Sequence, residues 1–164
     1  MVDRWLGYRR HSKGYLKDQP AILHPRIIFG AGAFLTPEFV KELKISHVIN
    51  CAYDKDSPIW FREKYPYRYH CINADDTLTS NILSWYPEFR SVMKTFLSAP
   101  DSERIYVHCQ CGINRSGFLT LLFLCLEFSY NLENAIRVTL RQRPCALTNP
   151  AYMNQTVDYI KKHA

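Results

Sequence analysis

Between residues 104 and 128 the sequence places an apolar strand, a short loop and a strongly apolar helix directly one after another. Residues 105–107 are β-branched or aromatic and predict an inner strand, and residues 118–126 predict a buried helix that starts near Arg115 or Ser116. The loop therefore ends at a helix N-terminus, where unpaired backbone N–H groups and the positive end of the helix dipole favour an anion. We predict that this loop binds a phosphoryl group.

The side chains of the loop suit the cleavage of a phosphate bond. Cys109 is the predicted nucleophile, because the helix field and the guanidinium of Arg115 both favour a thiolate. Arg115 offers a planar fork for two phosphoryl oxygens, and Ser116 is close enough along the chain to stabilise the departing sulfur. Gly112 permits the tight turn that aims the amides inward. The predicted phosphate-binding residues are Gln110, Cys111, Gly112, Ile113, Asn114 and Arg115.

A second segment carries two adjacent carboxylates. Asp75 and Asp76 follow a predicted strand and precede a helix-start signal at residues 80–81, so we expect them on a loop. Cleavage of a phosphoester needs a proton for the leaving oxygen, and an aspartate can supply it. Either Asp75 or Asp76 could be this acid. A helix cap or a solvated turn would explain the pair without any catalytic role.

His108, Cys109, Gly112, Arg115 and Ser116 together fill the pattern His-Cys-x-x-Gly-x-x-Arg-Ser. This pattern resembles the signature of the cysteine-dependent protein tyrosine phosphatases, and of their small, atypical dual-specificity branch in particular. The resemblance implies hydrolysis of phosphotyrosine and phosphoserine/threonine in phosphorylated proteins through a phosphocysteine intermediate, with no metal and no cofactor. We expect His108 to order the loop and not to act on substrate.

Three further segments carry the same resemblance, which extends from about residue 21 to the C-terminus. They are residues 26–30, 45–50 and 143–153. The resemblance also implies that the general acid is an aspartate about thirty residues before the cysteine, often followed by threonine, so Asp76 is the predicted general acid and Asp75 is the alternative. It implies that Asn149 hydrogen-bonds the loop and holds its shape; an ordinary helix N-cap is the alternative for this residue.

Two residues resemble a different branch of the superfamily. Asn114 and Phe118 are similar to the corresponding positions of RNA 5′-triphosphatases, which share the cysteine and arginine but cleave a phosphoanhydride, generally without an aspartate acid. The net charge of +6 suits RNA, but it suits other anionic partners as well. The pair Asp76-Thr77 and the segment 149–150 favour a protein phosphatase, so an RNA 5′-triphosphatase or diphosphatase is the alternative.

Other interpretations of the loop remain open but are less favoured. A non-catalytic phosphate-binding module would have lost the nucleophile or the arginine, and a lipid phosphatase would usually show lysines in the loop. A metal site at His108, Cys109 and Cys111 lacks a matching second cluster in the sequence. Cys111 is expected to be a simple loop residue, and a disulfide with oxidised Cys109 is the alternative.

Length and composition predict one α/β domain. The alternation of strands and helices over 164 residues indicates a central, mostly parallel sheet of four to five strands with helices on both faces. We expect residues 1–19 to form a basic arm, which could contact RNA or form a homodimer, and residues 20–164 to form the catalytic domain. Six scattered cysteines, no signal peptide and no transmembrane segment predict an intracellular protein, cytoplasmic or possibly nuclear.

The sequence also predicts where the elements lie. The expected strands are an edge strand at residues 22–29 with Pro25 inside it, and further strands at 47–51, 67–72 and 105–108. The expected helices are 37–43 capped by Thr36, 82–97 with a kink or delayed start at Pro87, 116–128, 131–141 capped by Asn131, and a last helix from Asn149-Pro150 to about residue 162.

Overall fold

Strands and helices alternate along residues 19–163, which are the residues that this computed structural model describes. The predicted basic arm, and with it the predicted dimer contact, lies outside these residues except for Gln19. The strands are β1 (Ala21–His24), β2 (Ile27–Ala31), β3 (Ile45–Asn50), β4 (Tyr69–Cys71) and β5 (Arg104–Cys109). The α-helices are α1 (Pro37–Leu43), α2 (Ile59–Lys64), α3 (Tyr86–Ser98), α4 (Arg115–Glu127), α5 (Leu132–Gln142) and α6 (Pro150–His163).

The five strands form one sheet in the order β1-β2-β5-β3-β4. β2, β5, β3 and β4 run parallel, and β1 pairs antiparallel with β2 at one edge. β5 therefore lies in the middle of the sheet, with Phe29 of β2 and Ile49 of β3 both in register with Val107. The predicted α/β architecture with a mostly parallel sheet is confirmed.

Side chains that alternate along the strands build two separate cores, one on each face of the sheet. In β5, Ile105 and Val107 belong to the core that also contains residues of α3, α4, α5 and α6, whereas Tyr106 belongs to the core on the opposite face with Phe39 of α1 and Phe61 of α2. All five side chains are almost completely buried. Helices thus cover both faces, as predicted, and fix the position of the central strand.

Two local predictions were wrong or incomplete. The edge strand predicted at residues 22–29 is a hairpin, because the chain turns at Pro25 and Arg26; β1 forms the edge and β2 lies inside the sheet. The short helix α2 was not predicted. The delayed start at Pro87 is confirmed, since a 3-10 turn at Ile82–Ser84 precedes α3 and places Pro87 in its first turn.

Several predicted caps are present. The Thr36 hydroxyl accepts a hydrogen bond from the Phe39 N–H, and the Asn131 side chain accepts one from the Asn134 N–H. No helix within residues 19–163 is long and apolar enough to cross a membrane.

Candidate active site

The central strand β5 delivers Cys109 to the carboxyl edge of the sheet, where open α/β sheets place ligands. We call residues 109–115 the phosphate loop. Cys109 is 2% exposed, and its Sγ lies 3.2 Å from the Ser116 hydroxyl at the start of α4. Cys51 follows the neighbouring strand, but burial, and then the nearby Cys109, raise the pKa of Cys51, which therefore stays a thiol.

The carbonyl oxygens of the phosphate loop accept hydrogen bonds from groups outside the loop. His108 Nδ1 donates to the carbonyl of Cys109 (3.0 Å), and the Gly32 N–H donates to that of Gln110 (3.3 Å). The Arg143 guanidinium donates to the carbonyls of Cys111 and Gly112, at 2.6 Å to Gly112. The Leu147 N–H donates to the carbonyl of Ile113 (2.7 Å), and the Phe118 N–H donates to that of Asn114 (2.9 Å). In a planar peptide the N–H points opposite to the carbonyl. The amides of residues 110–115 consequently face the interior of the loop, and none donates to an acceptor within residues 19–163.

Arg143 is the residue of this site that the sequence reasoning missed. It is 1% exposed beneath the phosphate loop, where its guanidinium donates to the carbonyls of Cys111 and Gly112 and to that of Gln19 (2.8 Å). These bonds fix the direction of two loop peptides. The sequence placed Arg143 in a segment that resembles the phosphatases, but nothing local in that segment indicates a partner 31 or 32 residues away.

Gly112 is required by the shape of the loop. Its φ of +66° lies in the left-handed region, and a Cβ at this position would lie 2.1 Å from the carbonyl carbon of Gly30. The phosphate loop therefore touches the backbone of β2 at a point where neither residue has room for a side chain.

Arg115 is held in place from behind. Its Nη1 donates to the carbonyl of Ala74 at 3.0 Å, and the residue is 8% exposed. Its Nε is buried and has no acceptor among the described residues. A buried guanidinium N–H is costly to leave unpaired, so an anionic oxygen in the loop would complete it.

The structure separates the two candidate acids. Asp76 accepts hydrogen bonds from the side-chain amides of Asn114 in the phosphate loop and of Asn149, and both nitrogen–oxygen distances are 3.1 Å. The Asp75 carboxylate instead accepts from the Tyr53 hydroxyl, and this hydrogen bond is the main reason that the pKa of Tyr53 is raised. Of the two, only Asp76 is thus linked through its side chain to the phosphate loop, which supports it as the acid.

Asn149 makes hydrogen bonds that fit both of the interpretations weighed from the sequence. Its Oδ1 caps α6 by accepting from the N–H groups of Ala151 (3.0 Å) and Tyr152 (3.1 Å). Its backbone N–H donates to Asn114 Oδ1 at 2.8 Å, and its Nδ2 donates to Asp76. The residue therefore joins α6, the phosphate loop and the aspartate.

His108 lies fully buried beside Cys109. Because a carbonyl only accepts, the contact with Cys109 O places the hydrogen on Nδ1, and Nε2 accepts from the Ser57 hydroxyl at 2.9 Å. Burial lowers the pKa of His108 to about 4. Both ring nitrogens are in use, which argues against a metal site here, and no cluster of three or more His, Cys, Asp or Glu within residues 19–163 could hold a metal ion.

The buried histidine gives a testable pH dependence. We expect the free energy of unfolding to decrease as pH falls from about 6.5 towards 4, because His108 binds a proton in the unfolded chain at pH values where the folded protein keeps it neutral. The difference between the ordinary pKa of 6.5 and the value of about 4 in the folded protein corresponds to about 3 kcal/mol of unfolding free energy. Urea unfolding between pH 4 and 7 measures this change. His108→Asn should weaken the dependence of the unfolding free energy on pH, whereas His163→Gln, at an exposed position on α6, should leave it unchanged. An unchanged dependence in His108→Asn would contradict the assignment of this effect to His108.

Comparison with known proteins agrees with this geometry. The family described as "Dual specificity phosphatase, catalytic domain" matches residues 27–162. The "Protein phosphatase Slingshot homolog" of Xenopus laevis is 26% identical over 144 residues, which are 87% of this chain and 20% of that protein. The "Probable rhodanese domain-containing dual specificity protein phosphatase" of Dictyostelium discoideum is 31% identical over 121 residues, which are 71% of this chain and 23% of that protein.

Solved structures share the fold. Human DUSP28 superimposes with a TM-score of 0.72 at 17% identity, over 87% of this chain and 93% of that chain. The Yvh1 phosphatase domain of Chaetomium thermophilum gives a TM-score of 0.72 at 20% identity, over 87% and 95% of the two chains. The chain spans only 14% to 31% of the length of the curated relatives that it matches. Because the family match covers most of its residues, the chain belongs to the dual specificity phosphatase catalytic domain family.

Proposed function

We propose that this protein hydrolyses phosphotyrosine and phosphoserine/threonine in phosphorylated proteins through a phosphocysteine intermediate on Cys109. The observation that carries the proposal is the phosphate loop itself: six amides that donate to no acceptor within residues 19–163 and a buried arginine lie in the loop that begins with Cys109. Such a loop binds a phosphoryl group and leaves the sulfur in line with phosphorus. The family membership of the chain supports the same reaction.

In the first step the thiolate of Cys109 attacks phosphorus. The amides of residues 110–115 and the guanidinium of Arg115 bind the equatorial oxygens and stabilise their charge in the transition state. Asp76 protonates the departing oxygen of the serine, threonine or tyrosine, so the protein leaves as a neutral alcohol or phenol. The anchoring of Arg115 to Ala74 keeps the guanidinium oriented throughout.

In the second step water attacks the phosphocysteine. Asp76, now ionised, takes the proton from that water, and inorganic phosphate is released. The departing thiolate of Cys109 gains a hydrogen bond from the Ser116 hydroxyl, which lies 3.2 Å away and is itself fully buried. No metal or cofactor takes part in either step. The six free thiols of the chain fit the reducing intracellular environment in which such a thiolate stays active.

One contact favours a phosphoprotein over RNA as the substrate. Asn114 is a residue that resembles the RNA 5′-triphosphatases, yet in the structure its side chain binds Asp76. The leaving group of a phosphoanhydride is a stabilised anion, so an acid speeds its departure little. The alcohol or phenol oxygen that leaves from a phosphoester is more basic, so an acid speeds its departure much more. A loop residue that engages the acid therefore supports ester cleavage.

Direct comparison of substrates tests this proposal. We expect the protein, residues 1–164, to release phosphate from phosphotyrosine and phosphothreonine peptides at least about tenfold faster, in kcat/KM, than from 5′-triphosphorylated RNA, because only the esters use the acid. Cys109→Ser is the control for contaminating phosphatases in each assay. Faster release of the γ-phosphate from RNA would establish the RNA alternative, and binding without turnover would establish a phosphate-binding module.

A further inference from the structure

Asn114 occupies the N-cap position of α4, yet it does not cap the helix. An N-cap asparagine normally accepts a hydrogen bond from an N–H in the first turn. Here no such bond forms, and Oδ1 accepts instead from the N–H groups of Thr148 and Asn149, each at 2.8 Å. The first-turn amides of α4 are thereby left for an anion. The side chain of Asn114 meanwhile joins the phosphate loop to the segment that leads into α6.

The amide nitrogen of the same side chain contacts the proposed acid. Asn114 Nδ2 donates to Asp76 Oδ2 at 3.1 Å and approaches the Thr148 hydroxyl at 3.3 Å. Asn149 Nδ2 binds the other carboxylate oxygen of Asp76 and the carbonyl of Thr77 (3.0 Å). Asn114 is 8% exposed, whereas Asp76 is exposed and lies on an irregular segment. A buried side chain of the phosphate loop thus holds an exposed carboxylate.

We infer that Asn114 is a positioning residue that holds Asp76 against the phosphate loop, at the place from which it protonates the leaving group. This inference rests on the proposed function. The carboxylate is fixed by one amide on each oxygen, so loss of the Asn114 donor frees Oδ2 and lets the exposed aspartate turn away. A misplacement of about 1 Å in a reacting group can cost about 100-fold in rate. The side chain acts in proton transfer, whereas the backbone amide of the same residue belongs to the phosphate loop.

This role has a signature that a purely structural role lacks. A substrate with a weakly basic leaving group, such as p-nitrophenyl phosphate, departs without protonation. Phenyl phosphate has a leaving group about as basic as tyrosine and needs the acid. Misplacing the acid therefore slows only the second substrate, whereas distortion of the phosphate loop slows both.

Asn114→Ser is the sharpest variant, because it removes the amide that donates to Asp76, keeps a side-chain oxygen as an acceptor and adds no negative charge beside the bound phosphate. We expect kcat/KM for phenyl phosphate to fall by about 10- to 100-fold and that for p-nitrophenyl phosphate by less than about threefold. Asn134→Ser makes the same chemical change at an exposed position of α5 and should alter neither value.

A double-mutant cycle completes the test. In an Asp76→Asn background, Asn114→Ser should have no further effect on phenyl phosphate, since there is no acid left to position. An equal fall with both substrates, or a fall that persists without Asp76, would overturn the inference and leave the proposed function intact. If Asn114→Ser fails to fold, Asn114→Ala gives the same comparison. A wild-type protein that cleaves neither aryl phosphate would remove the proposed function and the inference together.

Discussion

Cys109→Ser is expected to abolish turnover, by about four orders of magnitude or more in kcat, while inorganic phosphate still binds. A serine hydroxyl is not ionised near neutral pH, and the side-chain partner of position 109 among residues 19–163 is the Ser116 hydroxyl, which is not a base. The amides of residues 110–115 and the guanidinium of Arg115 are unchanged by the substitution, so the affinity for phosphate should stay within about threefold. Phosphate release and isothermal calorimetry measure the two quantities.

A control and a direct observation make this prediction decisive. Cys125→Ala, near the far end of α4, should retain activity, because its thiol lies away from the phosphate loop. Acid quenching of the wild-type reaction should trap phosphorus on the peptide that contains Cys109, as seen by mass spectrometry. Hydrolysis that survives in Cys109→Ser would reject the nucleophile assignment.

Asp76→Asn should lower kcat/KM for phosphotyrosine peptides by about 100- to 10,000-fold, since general acid catalysis contributes effects of this size. Asparagine has the size of aspartate and keeps one oxygen for the amides of Asn114 and Asn149, but it has no proton to transfer. Asp75→Asn is the matched variant: its carboxylate binds Tyr53 and not the phosphate loop, so a change of less than about threefold is expected. A large loss in Asp75→Asn with an active Asp76→Asn would move the acid to Asp75.

The sequence predicts much of the site because the necessary residues are close together in the chain. A strand, a glycine turn and an apolar helix are local patterns, and their order along the chain places Cys109 and Arg115 in a loop that ends at a helix N-terminus. The same holds for the fold, whose alternating elements leave few arrangements other than a mostly parallel sheet. The hairpin at Pro25 was missed because a proline in an apolar run is compatible with an edge strand as well as with a turn.

The remaining features depend on contacts between distant residues. The sequence shows neither the phosphate-loop partners of Arg143, which are 31 and 32 positions away, nor the contact of Asn114 with Asp76, which is 38 positions away. Packing of α4, α5 and α6 against the sheet decides which carbonyls Arg143 binds and which carboxylate Asn114 binds. Contacts of this kind produce no periodic pattern in the sequence. The choice between Asp75 and Asp76 likewise rests on which one faces the phosphate loop.

The hydrogen bonds that Arg143 and Leu147 donate to the phosphate loop also bear on the biosynthesis of the protein. Cys109 and Arg115 leave the ribosome before Arg143, Leu147 and Asn149, which lie between α5 and α6. The nascent chain therefore contains Cys109 before the groups that orient the surrounding peptides have been synthesised. We expect a fragment that ends between Arg115 and Arg143 to be inert, although it carries the whole signature.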